Sequence, residues 1–365
     1  MDSEPHARRA PEQARTGPPP GREEDGEAGV ADAIEAPLIA IVGATATGKS
    51  DLAIALARRV GGEVVNADAL QFYRGMDIGT AKVPPGERDG VPHHLLDVLE
   101  VTEEASVSAY QQQARAAIAH IRARGRVPIL VGGSGLYVRA VLDDIEFPPT
   151  DAALRARLEA RAEEIGPRAL HDELARTDPE AADVIGPQDT RRIVRALEVG
   201  ELTGRPFTAF LPRPHYADPR TLQIGLRLDR TELHERIARR VEVMVERGLL
   251  EEIRGLRERG LDRGPTARRA IGYEQGLAVL DGAMTCQEAI EATVVGTRRL
   301  VRKQDTWFRR DARVQWIDAP AGGGTGDLER ALARAMTVIE PARAGSEAPI
   351  TASGHHETKR HRLGP

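Results

Sequence analysis

Short runs of consecutive apolar residues alternate along the chain with stretches in which apolar residues recur every three or four positions. The two periods predict strands and amphipathic helices in turn. PLIAIV (37–42) leads through a glycine-rich segment into SDLAIALARRV, whose apolar residues share one helical face. GEVVNAD (62–68) predicts a second strand, SAYQQQARAAIAHIRARGR a helix, and VPILVG a third strand that ends in the turn GGSG. Strands separated by helices imply a parallel, doubly wound sheet. From about 150 to 200 only helical periodicity remains, broken at Gly166/Pro167 and Gly186/Pro187. TLQIGLRLD (221–229) returns to strand character. Thr231 then reads as the cap of an amphipathic helix carrying Leu233, Ile237, Val241, Met244 and Val245, and residues from about 284 to 310 are helical again. The expected organisation is a disordered tail over 1–36, the first part of a core over 37–147, a helical insertion over 148–220, the rest of the core with C-terminal helices over 221–320, and a second disordered tail over 340–365.

Composition narrows this picture. The 365 residues, 41% of them hydrophobic, suffice for a substantial core, and no apolar run approaches the ~18 residues that span a bilayer. A cytoplasmic protein with no membrane partner is expected, and a monomer. One cysteine, Cys286, excludes an intramolecular disulfide and a multi-cysteine metal site, and reads as a packing residue. The net charge of -5 does not advertise nucleic-acid binding, although a chain average can conceal a local basic surface. Aromatic residues make up only 3%, which draws attention to Tyr73, Trp307 and Phe308 in polar or basic sequence. His355, His356 and His361 lie in the C-terminal tail and read as solvated.

GATATGKS (Gly43, Ala44, Thr45, Ala46, Thr47, Gly48, Lys49, Ser50) follows a strand and opens a helix, the context that a phosphate-binding loop requires. Its glycines let backbone N–H groups turn around an anion, Lys49 supplies a point charge and Ser50 can ligate Mg2+. A nucleotide hydrolase also needs a carboxylate at the end of a nearby apolar strand, yet VPILVGG ends in glycines and Ser134. The acid instead follows GEVVNA: Asp68 is expected at the carboxyl edge of the sheet beside the loop. There it is either a turn-forming aspartate or a general base for an incoming nucleophile.

GATATGKS, NADALQFYRGMDIGTAK, PHHLLD, VGGSGLYVRAVL, DTRRIVRALE, RRAIGYEQ and TRRLVRKQDTWFRR together resemble the tRNA dimethylallyltransferases, also called tRNA isopentenyltransferases, from about residue 38 to 317. MDIGTAK and KQDTWFR are more specific than the phosphate loop, since nucleotide binding in general requires neither. The resemblance implies an α/β fold, a P-loop doubly wound parallel sheet with an inserted all-helical tRNA-binding domain. It implies a loop that holds the diphosphate of dimethylallyl diphosphate, with Mg2+, and transfer of the prenyl group to N6 of adenosine 37 beside the anticodon of tRNAs reading codons that begin with U. By similarity, Asp68, Ala69, Leu70 and Gln71 contact the target nucleotide, Ser134 lies near the reacting centre, and Arg240 is placed near the diphosphate. Asp68, Ser134, Lys49 and Arg240 then form the catalytic set. Arg155, Arg191, Arg192, Arg195, Arg269, Gly272, Arg302, Lys303, Trp307 and Arg309 fall where the family holds the tRNA anticodon stem-loop.

The chain departs from the family pattern at Ala44, where a proline is usual, at Ala69 of NADA, where a serine is usual, and at Ser134, where a threonine is usual. Ala69 leaves the role of that hydroxyl in seating the base in doubt. Three other readings share parts of the pattern. A P-loop kinase or NTPase shares the loop, an adenylate isopentenyltransferase that prenylates AMP shares the catalytic core, and a non-catalytic RNA-binding module would leave Lys49, Ser50 and Asp68 without a role.

Overall fold

A computed structural model describes residues 36–210, 215–320 and 325–343. The sheet is built on β1 (Ile39–Gly43), which pairs with β4 (Val127–Gly132) on one side and β5 (Leu222–Arg227) on the other. β2 (Gly62–Asn66) and the two-residue β3 (His93–His94) continue outward from β4, and β6 (Gln315–Asp318) flanks β5. The order is β3-β2-β4-β1-β5-β6 with every pair parallel. β1, β2 and β4 are buried along their whole length, which is why β1 and β4 read as apolar runs and not as alternation, while β2 also buries the polar Glu63 and Asn66. The chain leaves β1, crosses to β2 and returns to β4 between them, so the carboxyl ends of β1 and β4 open the crevice where such sheets bind ligands.

Period-two alternation divides the strand side chains between two cores. Ile39 and Ile41 pack with Leu52 and Leu56 of α1 (Lys49–Val60) and with Ala331, Ala335 and Ile339 of α12 (Thr325–Arg343). Ala40 and Val42 pack on the other face with α2 (Val107–Ala123), α3 (Gly135–Leu142) and Phe308. The helices α4 (Ala152–Ile165), α5 (Pro167–Thr177), α6 (Pro179–Val184) and α7 (Thr190–Thr203) enclose a separate core around Leu158, Leu170, Leu174 and Ile193. Asp151, Asp178 and Asp189 cap α4, α6 and α7, each accepting a backbone N–H from the first turn. α8 (Arg230–Glu246), α9 (Leu249–Glu258), α10 (Tyr273–Leu280) and α11 (Cys286–Arg309) follow β5 in the chain, and α8 and α11 line the crevice.

Several expectations are corrected. The cap of α8 is Asp229, whose carboxylate takes the amides of Thr231 (2.8 Å) and Glu232 (3.2 Å), and Thr231 lies inside the helix. Cys286 is exposed, because it opens α11 directly after the Thr285 cap and turns away from the packed face. Tyr73 and Phe308 are core side chains, and of the three aromatics singled out only Trp307 is substantially exposed, at 40%. The expected boundary at 340 falls inside α12, which runs to Arg343 with Ile339 fully buried. Residues 1–35, 344–365 and the three tail histidines lie outside the described residues.

Candidate active site

The turn after β1 is built by two glycines. Gly43 has φ 136° and lies so close to β5 that a Cβ there would stand 2.8 Å from the Leu226 carbonyl oxygen. Gly48 occupies the cap position of α1 at φ 84°, and no side chain caps that helix, so its first N–H groups remain open to an anion. Within the loop the Thr47 hydroxyl donates to the Ala44 carbonyl at 2.8 Å and Lys49 Nζ to the same oxygen at 2.6 Å. Ala44 itself is buried, against Leu233 and Ile237 of α8 and Val301 of α11. The loop is tied to α11 as well: the Thr45 N–H donates to Gln304 Oε1 at 2.9 Å.

Asp68 follows β2 and faces this loop. Its backbone N–H donates to Asn66 Oδ1 (3.0 Å), Asn66 Nδ2 donates to its carbonyl (3.1 Å), and its Oδ1 accepts the Leu70 N–H at 3.0 Å. One carboxylate oxygen is thereby used to orient the group, while Oδ2 makes no hydrogen bond to the described residues. The end of β4 has no room for an acid, because a Cβ at Gly132 would lie 2.4 Å from the Ala67 carbonyl oxygen.

Two cavities meet here. One, of about 400 Å³, is polar and cationic, lined by Gly48, Lys49, Ser50, Gln71, Arg236, Arg240 and Arg247. The other, of about 310 Å³, is mostly apolar, with Ile237, Val241 and Met244 from α8, Ile271, and Thr293, Thr297, Leu300, Gln304 and Trp307 along one face of α11. Thr45, Ala46, Asp68, Thr80 and Arg240 line both, and Ser134 and Lys303 border the apolar one. The geometry therefore sets a polar, mainly cationic cavity against an apolar one, with a carboxylate and a guanidinium at the junction.

Electrostatics agree with that division. Burial lowers the Lys49 ammonium to about 8; Asp68 opposes the fall, Arg240 adds to it and Asp305 opposes it. Burial likewise lowers Arg240, against the pull of Asp68 and Asp51. Asp305 on α11 is raised by burial against the pull of Arg309, Arg230 and Lys49. A cluster of cations held below full solvation gains from an incoming polyanion.

The chain that builds this site is similar to known proteins over most of its length. Residues 71–311 match the family model for IPP transferase. The chain is 60% identical to the tRNA dimethylallyltransferase of Kocuria rhizophila, over 82% of this chain and 94% of that one. It is 57% identical to the enzyme of that name from Streptomyces coelicolor, over 83% and 96%. The chain belongs to the IPP transferase family. Among solved structures it is similar to the tRNA isopentenylpyrophosphate transferase of Bacillus halodurans (41% identity, TM-score 0.61, 84% of this chain and 98% of that chain). It is similar also to a eukaryotic dimethylallyltransferase described as acting on tRNA (26% identity, TM-score 0.73, 86% and 81%).

The structure gathers Asp68, Leu70, Ser134, Arg240, Gly272, Lys303 and Trp307 around the apolar cavity, and Gly48, Lys49, Ser50, Asp68, Gln71 and Arg240 around the cationic one. Ala69 is half-buried against the core that holds Phe72 and Tyr110. Arg302 borders a neighbouring hollow with Lys303, Trp307 and Arg310, and Arg309 and Arg269 are exposed. The arginines of the helical segment divide. Arg191 and Arg192 are exposed, whereas Arg155 and Arg195 converge on the buried Glu198 carboxylate at 3.1 and 2.8 Å. Gln304, Arg236, Thr80 and the α11 positions Thr293, Thr297 and Leu300 were not singled out from sequence, and Ile237, Val241 and Met244 were read as a helix's apolar face and not as a cavity wall. The spacing of Thr293, Thr297, Leu300, Gln304 and Trp307, alternating four and three, marks one helical face and was the available signal.

Proposed function

We propose that the protein is a tRNA dimethylallyltransferase, which moves the dimethylallyl group of dimethylallyl diphosphate to N6 of adenosine 37, beside the anticodon of tRNAs reading codons that begin with U. The observation that carries this reading is the junction itself: a phosphate loop opens directly into an apolar cavity across Asp68 and Arg240. A kinase would need a second phosphorylated product in that place, and an apolar wall suits a prenyl chain better. The names of the relatives supply tRNA as the acceptor class.

In this reading the donor diphosphate lies on the open amides of α1 with Lys49 and Arg240, and its five-carbon chain lies against Ile237, Val241 and Met244. The N6 amine attacks C1 of the donor. As the C–N bond forms, the C1–O bond breaks and its electron pair leaves with diphosphate, whose growing charge Lys49, Arg240 and the loop amides stabilise. The free Oδ2 of Asp68 takes the N6 proton. Mg2+ fits the donor set, because it keeps several waters and needs few protein oxygens beside substrate phosphates. Ser50 would hold it, and it would neutralise diphosphate charge. Among the described residues no three His, Cys, Asp or Glu side chains form a cage, which such a site does not require. No helix of the described residues is long and apolar enough to cross a membrane. The reading takes the enzyme to act in the cytoplasm as a monomer.

The test compares prenyl transfer to an anticodon stem-loop carrying A36-A37-A38 with transfer to AMP, ADP and ATP, read by nucleoside mass spectrometry. The stem-loop is expected to be preferred by several orders of magnitude. Comparable efficiency with AMP would overturn the acceptor assignment, and ATP turnover without prenyl transfer would overturn the reaction class.

A further inference from the structure

The MDIGTAK segment is held by an acid far away in sequence. Glu252 of α9 accepts the backbone N–H groups of Asp77 (3.0 Å) and Ile78 (2.7 Å) on Oε2, and of Gly79 (3.3 Å) on Oε1. The same Oε1 accepts the Tyr273 hydroxyl at 2.6 Å. Four donors on one carboxylate, three of them consecutive amides, make an anion nest filled by a side chain of the protein itself. The other end of the segment is pinned by the opposite charge. The buried Lys82 ammonium donates to Asp77 Oδ1 and Asp97 Oδ1, each at 2.6 Å, and to the Tyr73 carbonyl at 2.9 Å.

Between these anchors lie Gly79 and Thr80. Both border the apolar cavity, and Thr80 lines the cationic one as well. Gly79 is pressed on the Tyr273 ring, where a Cβ would stand 2.5 Å from a ring carbon, so the segment cannot move toward α10. On the other side the Thr80 carbonyl accepts Gln71 Nε2 at 3.2 Å, which joins the segment to the turn that carries Asp68.

We infer that Glu252 is a positioning residue for prenyl transfer: by gathering the amides of 77–79 it fixes the wall of Gly79 and Thr80, and through Gln71 the Asp68 turn, at the junction where the acceptor amine must meet the donor. Glu252 lines neither cavity and touches no substrate in this arrangement. The inference rests on the transfer reaction proposed above.

Glu252→Gln separates positioning from packing, because glutamine has the same size but turns an amide nitrogen toward donors that only an acceptor satisfies. The protein is assayed first unaltered, so that failure of the parent to transfer the prenyl group strikes the proposed function and not this inference. In the variant, dimethylallyl diphosphate binding by calorimetry is expected within about threefold of the parent, since the phosphate loop is untouched. kcat for stem-loop prenylation is expected to fall about a hundredfold, the scale of a reacting group displaced by about an ångström. Parent-like kcat in Glu252→Gln overturns the inference, and so does a parallel loss of donor binding and kcat in a variant that melts like the parent, which would place Glu252 in the donor site and not at the acceptor junction. Should Glu252→Gln not fold, Tyr273→Phe decides. It removes one donor while keeping the ring on Gly79, a several-fold loss of kcat is expected, and an unchanged kcat overturns the inference.

Discussion

Lys49 illustrates how much one side chain's environment dictates. With its ammonium lowered to about 8 by burial, the group is half neutral near that pH in the ligand-free protein. A bound diphosphate favours the charged form and raises the value, so donor binding at pH 8 should take up about half a proton. Calorimetry in buffers of different ionisation enthalpy measures this directly. Lys49→Arg, which stays charged throughout, should abolish the uptake, and uptake that persists in that variant would assign the proton elsewhere. Asp68→Asn should slow the chemical step by about two to four orders of magnitude with stem-loop affinity retained; single-turnover rates near those of the parent would remove Asp68 from the base role. Asp68 was legible because an acid directly after an apolar strand, in a chain with a phosphate loop, has few places to go in a parallel sheet. Gln304 was not, because its contact with the Thr45 amide joins residues 259 apart and no local pattern reports such a distance. Glu252 was hidden for the same reason, as one acid among the many on helix surfaces.

At the scale of elements, α7 shows where a charge pattern read from sequence divides on folding. DTRRIVR places three arginines within five residues, and the family resemblance implied an RNA-facing role for all three. Arg195 turns instead into the core side of the segment, donating to Glu198 and to the Pro148 and Pro149 carbonyls, while Arg191 and Arg192 stay in solvent. The two groups should therefore answer different experiments. Arg191→Ala should reduce the slope of log affinity against log salt for the stem-loop by about one, as loss of one phosphate contact does. Arg195→Ala should chiefly lower the melting temperature, since it strips a partner from a fully buried carboxylate. A reduced salt slope in Arg195→Ala with unchanged melting would reverse that division. Glu198 also sets a pH dependence. Burial alone would raise its carboxyl, but the Arg195, Asp151 and Arg155 hydrogen bonds outweigh this and hold it below the ordinary 4.5. A depressed folded-state value means stability that is complete above the unfolded value and is lost as pH falls through the folded one. Thermal melts below pH 4.5 should therefore show a decline that Glu198→Gln makes shallower, the rest coming from the other lowered carboxyls, Glu63, Asp218 and Asp311 among them. Helix placement was legible in these segments because capping aspartates and Gly-Pro breaks act locally, whereas the direction a guanidinium takes depends on a partner brought in by packing.

Across the whole molecule, the sheet separates what stabilises the chain from what reacts. The crevice opens at the carboxyl ends of β1 and β4, while α12 packs Ala331, Ala335 and Ile339 on one face of the sheet with α1 and the strand residues Ile39 and Ile224. Sequence reading stopped short of this helix. The segment after β6 is rich in glycine and small residues, and a composition-based boundary at 340 falls inside the last turn of a helix whose apolar positions 331, 335 and 339 repeat every four residues. The strength of that packing does not depend on local propensity, which is why propensity under-read it. If α12 is structural support alone, Ile339→Ala should lower the free energy of unfolding by about 2–5 kcal/mol, the cost of emptying a fully buried aliphatic site. It should do so with kcat/KM for the stem-loop unchanged at temperatures where the variant is folded. α1 joins the two regions, since Leu52 and Leu56 sit in the same core as Ile339 while the first turn of that helix holds the phosphate loop. Denaturant unfolding and steady-state kinetics on one preparation separate the possibilities: a fall in kcat/KM with stability intact would show that α12 sets the position of α1, and through it the loop.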